Sequence, residues 1–383
     1  MQPPAALLGM LLAAGAPFSP LGAPPSTGAT ALWASTLAWS QPAGVPGAGG
    51  MPDPRPDAGA QNRPMEGEIT PELDAAVTKG LKALAALQNA DGSFGSGRYS
   101  RNVAVTSLAC LAFMADGHLP GRGEYGGVVL KGLEYVLSCC TETGLIAGDS
   151  TNGPMYGHGF ATLFLGELYG MTQAGGETPL AERTHEALVR ACRLIERSQN
   201  EEGGWRYNPV PYDADTSVTI CQIMGLRAAR NAGIEVPKSV IDRAVEYIRK
   251  CQNPDGGFKY QSDTGVSAWP RSAASVATLY YAGIYQDNAI DKGLDYLTRS
   301  AMPESVGRSE AHYFYGMYYT AQTMYLAGGR HWAGWWPAAR RELLNRQGAG
   351  GTWSDPSVGP AYGTAMALIV LQMPKRYLPI FQK

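Results

Sequence analysis

One short pattern constrains the fold of this chain more than any other feature: a Gln, a Gly four residues later, and an aromatic ring two residues beyond that. It occurs at Gln88/Gly92/Phe94, Gln199/Gly203/Trp205, Gln252/Gly256/Phe258 and Gln347/Gly351/Trp353. A worn copy stands at Cys140/Gly144/Ile146, and the end of the segment Ala289–Ser300 falls where a further copy is due. The starting positions 88, 140, 199, 252, 300 and 347 lie 47 to 59 residues apart. A period of this size marks repeated supersecondary units, each unable to bury its apolar face alone. Six units fit.

Each unit has the same order. An amphipathic helix precedes the motif: Leu73–Leu87, Val128–Cys139, Thr184–Ser198, Lys238–Cys251, Ala289–Thr298 and Pro337–Asn345. In Lys238–Cys251 the apolar Val240, Ile241, Ala244, Val245 and Ile248 recur at helical spacing with Lys and Arg between them, which gives one buried stripe. The glycines then stop the helix and turn the chain. The second helix of each unit is apolar nearly all round, as in SLACLAFMA or AMALIVLQM, so it must be buried. A threonine recurs in it at Thr106, Thr162, Thr219, Thr278, Thr320 and Thr364. Six outer amphipathic helices alternating with six inner buried ones predict an all-α, closed (α/α)6 toroid over residues 68–383. An open superhelix is the alternative, but it needs polar caps at its ends.

Residues 1–64 are a separate zone rich in Ala, Pro, Gly and Ser. Its apolar runs Ala5–Ala14 and Ala29–Trp39 are too short to span a bilayer, and no Lys or Arg precedes them. A secretory signal, hence export, and a disordered tail are the two readings, with Gly44–Pro64 as a flexible linker. The net charge of −2, together with the lack of any basic run or groove-reading motif, removes the case for nucleic acid. The six cysteines include no Cys-x-x-Cys pair, which leaves no cysteine-based zinc site, and Cys110 and Cys221 fall in apolar helical runs that suit buried thiols.

The four motifs resemble the QW repeats of triterpene cyclases and the related repeats of protein prenyltransferase β-subunits, over roughly Glu68–Lys383. In those families the glutamine and the ring tie neighbouring helices together. The resemblance therefore gives Gln88, Phe94, Gln199, Trp205, Gln252, Phe258, Gln347 and Trp353 a structural role. It places function in the central cavity, at the end where the inner helices begin. Counting back from the threonines puts Arg101, Asn102, Tyr156, His158, Tyr212, Arg271, His312, Tyr313 and Tyr315 at that mouth, with Asp213 and Asp215. Polar and aromatic groups converging from several repeats are the usual mark of a ligand site.

Two chemistries accompany the resemblance. Zinc-dependent prenyltransferases carry an Asp-x-Cys pair on a late inner helix and a Tyr-His-Thr in the last repeat. Here the corresponding segments are Tyr315-Gly316-Met317-Tyr318 and Tyr362-Gly363-Thr364, so no metal and no cofactor are expected. Squalene-type cyclases follow a Gly-Gly-Trp repeat with Asp-x-Asp-Asp-Thr-Ala, in which an aspartic acid protonates an alkene. This chain has Gly203-Gly204-Trp205 and then Asp213-Ala214-Asp215-Thr216-Ser217, one aspartate short. One alignment puts Ala214 in place of the proton donor; the other keeps Asp215 as donor and puts Thr216 beside it. Either carboxylate also suits the capping of an inner helix. Three functions remain open: a toroid that binds an apolar, isoprenoid-type ligand and acts on it through Asp213 or Asp215; a non-catalytic, extracytoplasmic toroid that binds a protein or glycan; and a polysaccharide-active (α/α)6 enzyme, for which Asp213, Asp215, Glu167 and Glu310 are the nearby acids.

Overall fold

The computed structural model describes residues 67–382 apart from 149–152, 173–177, 305 and 307–311. The signal and linker readings of residues 1–64 lie outside the described residues. Among the described residues twelve α-helices carry the ring: α1 Pro71–Ala85, α2 Val103–Met114, α3 Gly126–Ser138, α4 Met155–Thr172, α5 Pro179–Ser198, α6 Thr216–Asn231, α7 Lys238–Lys250, α8 Trp269–Tyr281, α9 Asn288–Ser300, α10 Tyr313–Ala327, α11 Gly329–Arg346 and α12 Pro360–Gln372. Odd-numbered helices bury one stripe each. In α7 only Val240, Ala244, Val245, Tyr247 and Ile248 are buried. Even-numbered helices are buried on nearly every side, as α2 and α12 are.

The inner helices pack in chain order, α2 on α4, α4 on α6, α6 on α8, α8 on α10 and α10 on α12, and α12 returns to α2. The ring is closed. Tight helix contact is set by small residues: a Cβ on Gly159 or Gly166 of α4 would sit 2.7 or 2.9 Å from Cys221 or Ala228 of α6.

The repeat glutamines show how one unit holds the next. Gln88 Nε2 donates to Gly92 O and to Val128 O of α3, at 3.0 and 2.9 Å. Gln199 does the same to Gly203 O and to Val240 O of α7, both at 2.8 Å. Gln252 reaches Gly256 O and Ala289 O of α9. Gln347 reaches Gly351 O at 3.0 Å and Ala76 O of α1, the first helix, at 2.9 Å. The same stitch therefore closes the seam between the last unit and the first. The motif glycine is required on two counts. Gly203 has φ +100°, and a Cβ there would lie 2.2 Å from Arg243 O of α7.

One expectation about α11 changes. It begins at Gly329 rather than Pro337, which lies inside it. The missing N–H of Pro337 costs one helix bond, but Trp332, Trp335 and Trp336 are buried and hold the longer helix in place. Trp332 Nε1 donates to the Glu68 carboxylate and Trp336 Nε1 to Glu68 O, a second clasp across the seam. All six cysteines are free. Among the described residues no helix is long and apolar enough to cross a membrane.

Candidate functional site

The inner helices start from loops that follow each motif, and one contact fixes their register. The backbone N–H of the motif's ring residue donates to a side chain one turn into the inner helix: Phe94 to Thr106 Oγ1, Trp205 to Thr219 Oγ1 and Trp353 to Thr364 Oγ1, at 2.8 to 3.1 Å. In the second unit the acceptor is His158 Nδ1, from Ile146 N at 3.1 Å. In the fourth it is Ser272 Oγ, from Phe258 N at 2.8 Å. Thr162 and Thr278 instead donate back to His158 O and Ala274 O within their own helices. The threonine register therefore slips in these two units, and the residues counted from it move with it.

His158 is the first correction. It is fully buried, and its Nε2 lies 3.2 Å from Ala191 O. With Nδ1 accepting, Nε2 carries the proton and the ring is neutral. Burial pushes its pKa down to about 4, against the pull of the Ala191 carbonyl. It ties α4 to α5 and does not face the mouth cavity. Tyr212 is 88% exposed, on the loop outside the mouth. Arg271 turns its guanidinium to Phe258 O and Val266 O. Arg101 has a φ of 52° and pairs with Asp91 at 2.9 Å in a largely exposed site. Tyr313 is buried beneath the Arg346 guanidinium, 3.8 Å from its ring centroid. None of these five lines the cavity.

Asn102, Tyr156, His312 and Tyr315 do. They stand around a cavity of about 220 Å³ at the mouth, walled by Val103, Ala104 and Leu108 of α2, Tyr156, Gly157 and Phe160 of α4, Tyr315 of α10 and Tyr362 of α12. Tyr99, Pro154, Asp355 and Val358 complete the rim. Tyr99, Phe160, Asp355 and Tyr362 are missing from the sequence expectation. Aligning helix starts, rather than threonines, places Tyr362 in the first turn of α12 and Phe160 in the second turn of α4. Burial raises the Tyr156, Tyr315 and Tyr362 phenols well above their usual range, so each is a neutral hydroxyl on an apolar wall.

Asp215 caps α6: its Oδ1 accepts from Val218 N at 2.8 Å. It is completely buried, and its Oδ2 has no hydrogen-bond partner of good geometry. Arg206 Nε stands 3.7 Å away. Burial pushes the Asp215 carboxyl up to about 6, opposed by the Val218 N–H, the Tyr260 hydroxyl and Arg206. The carboxylate is not part of the cavity lining, but Tyr156 and Tyr315, which are, both feel its charge. Asp213 is different. It is partly exposed and forms an ion pair with Arg206 Nη1 at 2.5 Å. The structure thus gives the two aspartates separate tasks: Asp213 anchors Arg206 at the surface, and Arg206 reaches inward to Asp215. Tyr207 and Tyr260, hydroxyl to hydroxyl, flank the same guanidinium.

Glu167, one of the acids considered for glycan chemistry, lies near the far end of α4, about 15 Å along the helix from Gly157. Glu310 is outside the described residues. Among the described residues no three His, Cys, Asp or Glu side chains gather as metal ligands do.

Comparison with known proteins agrees with this architecture. The squalene-hopene cyclase C-terminal domain family matches residues 177–327. No curated protein matches the chain in sequence. Among solved structures, the type II terpene cyclase MstE from Scytonema, in its apo form, is 15% identical over 81% of this chain and 100% of that one, with a TM-score of 0.53. A variant of the same cyclase bound to its product, merosterolic acid A, gives 16% identity, 79% and 97% coverage and a TM-score of 0.54. An α-1,6-mannanase from Salegentibacter sp. HEL1_6 gives 7%, 78%, 98% and 0.56. The chain has the squalene-cyclase-like α-toroid fold, and that fold is shared by proteins of different chemistry.

Proposed function

We propose that this toroid takes up a short apolar group of isoprenoid type in the cavity at its mouth, with Asp215 as the group able to protonate it. The observation that carries the reading is an apolar, tyrosine-walled cavity whose Tyr156 and Tyr315 feel the charge of a buried carboxyl, itself pushed up to about 6 by burial. Cavities of about 150 Å³ already take a benzene ring, so 220 Å³ has room for a hydrocarbon segment of about one to two prenyl units. Neutral phenols on the wall offer ring faces that stabilise positive charge. The family match over residues 177–327 and terpene cyclases of the same fold support the same class of ligand.

For catalysis, the proton sits on Oδ2, the oxygen that caps nothing. Its transfer to an alkene carbon uses the alkene π pair for the new C–H bond and leaves a cation on the substrate. The Asp215 carboxylate left behind is held by Val218 N and Arg206, and it takes a proton back when the cation loses one, so the net change is an isomerisation. Asp215 is not among the residues that line the cavity, so contact with a bound alkene needs a rearrangement of the wall.

The test combines binding and turnover. Purified protein is mixed with geranyl and farnesyl probes and examined by native mass spectrometry, beside Ala104→Trp, which fills the cavity, and Asp215→Asn. Wild type and Asp215→Asn bind the probe, Ala104→Trp loses at least tenfold in affinity, and only wild type converts it. No binding by wild type, or equal binding by Ala104→Trp, sinks the reading. A glycan-cleaving site needs two facing carboxyl groups. Among the described residues around this cavity Asp355 is the one acid, and its Oδ1 accepts from Ser357 N and Val358 N.

A further inference from the structure

The opposite end of the ring carries a buried acid that the mouth site does not use. After α12 the chain turns at Met373–Lys375 and crosses the far ends of the inner helices. Gln372 Nε2 donates to Ala112 O of α2, Lys375 pairs with Asp116 at 2.5 Å, and Arg376 lies over Tyr325 of α10. The turn Pro379–Phe381 then packs on α4 and α6. Leu378, Ile380 and Phe381 are at most 3% exposed. At this point Glu167 of α4 is 1% exposed, and its Oε2 accepts from Ile380 N at 2.9 Å. Its Oε1 has no partner.

We propose that Glu167 and the Pro379–Phe381 turn form a proton-controlled latch: the neutral acid keeps the C-terminal segment seated across the ring, and ionisation releases it. An ionised carboxylate at this place is costly because nothing compensates it. Among the described residues no cation pairs with Glu167. Tyr281 of α8 and Tyr318 of α10 feel its charge but are neutral, both raised by burial. Arg227 of α6 turns to Tyr281 O. Tyr169, further along α4, lies against His185 of α5 with the two rings tilted. Cys110 of α2 is a buried thiol with its pKa raised, and Lys375 is occupied by Asp116. The one polar contact of the acid is the backbone N–H of the segment it holds.

Burial pushes the Glu167 carboxyl from its usual 4.5 up to about 8, the Ile380 N–H opposing. The seated state therefore binds one more proton than the released state between those values. The latch is at full strength below about pH 4.5, weakens tenfold per pH unit through the window, and levels off above about pH 8. The total change is on the order of a thousandfold.

Amide hydrogen exchange of the full chain, corrected for the intrinsic pH dependence of exchange, tests this. In wild type the protection of residues 376–382 falls steeply from pH 5 to 8, while that of α6 holds. In Glu167→Gln, which keeps an acceptor for Ile380 N but cannot ionise, protection is independent of pH. Equal pH profiles in both proteins, or a wild-type loss that α6 shares in full, overturn the latch. Should Glu167→Gln not fold, the wild-type contrast between residues 376–382 and α6 decides alone: a confined loss supports the latch, and a flat or shared one refutes it.

Discussion

Closure of the ring makes a quantitative prediction about the seam glutamine. Gln347 and Gln88 occupy the same environment, half-buried, each donating two bonds from Nε2 at 2.9 and 3.0 Å. One bond stays within the motif, and the other crosses to the next outer helix. For Gln88 that helix is the next in sequence; for Gln347 it is the first helix of the chain. An exchangeable hydrogen bond between neutral groups is worth about 0.5–1.5 kcal/mol net. Replacing either glutamine by Ala removes two bonds and frees two carbonyls that water can partly reach through the space of the half-buried side chain, so each costs about 1–2 kcal/mol.

Gln199 supplies the buried comparison. Water cannot reach Gly203 O and Val240 O as readily, which raises the cost of losing their donor, but Gln199 Oε1 is itself buried without a partner. Truncation relieves that group, and the net cost of Gln199→Ala is about 2 kcal/mol. Urea titrations of the three variants, read from their midpoints at unchanged m, give the answer. In an open superhelix Gln347 has no neighbour to stitch to, and Gln347→Ala then behaves as a surface change within about 0.5 kcal/mol of wild type. Gln347→Ala at that level with Gln88→Ala at 1–2 kcal/mol refutes the closed ring.

Two further outcomes follow from the buried titrating groups. His158→Thr restores the hydroxyl that other units use as acceptor. The folded-state pKa of His158 is about 4 against a usual 6.5, so its contribution is lost as pH falls through that window. The variant's stability relative to wild type should rise by up to about 3 kcal/mol between pH 7 and pH 4 in thermal melts; parallel melting curves would contradict a neutral buried imidazole. Asp215 has the opposite sign: raised from 3.8 to about 6, it stabilises least above pH 6. Asp215→Asn should therefore gain on wild type by up to about 3 kcal/mol from pH 4 to pH 7, and a gain confined to the acid side would show that Asp215 is ionised throughout.

The fold was legible because its stitches are local in sequence and repeated. Gln and Gly lie four residues apart on one turn, so four copies expose the period even where the fifth and sixth are worn. The mouth was harder to read. His158 and Ser272 do the same job as Thr106, Thr219 and Thr364, since an imidazole nitrogen and a serine oxygen accept the N–H equally well. A register built on one residue type misses that exchange. Seeking any acceptor one turn into each buried helix would have moved His158 out of the site and brought Phe160 into it. Tyr313 and Arg271 had no such signal: which face of an inner helix meets the cavity depends on how far the ring turns between units.

The capping and acid readings of Asp215 are not rivals, because its two oxygens separate them. Oδ1 does what Asn102 Oδ1 does at the start of α2, where Val105 N is held at 3.1 Å. An amide therefore caps an inner helix of this ring adequately, without the cost of burying a charge. Capping alone gives no reason for a fully buried carboxylate in the third unit. What that position has and α2 lacks is Arg206, anchored by Asp213 and walled by Tyr207 and Tyr260. This surround offsets part of the burial, leaves the carboxyl pushed up to about 6, and meets Oδ2 only through Arg206 Nε at 3.7 Å, without a hydrogen bond of good geometry. Under the proposed function, such an arrangement serves a proton donor rather than a cap alone. Asp215→Asn divides the two tasks cleanly, since it preserves the bond to Val218 N and removes the proton: an unchanged fold with lost turnover assigns the acid, and an unchanged fold with unchanged turnover leaves Asp215 a cap.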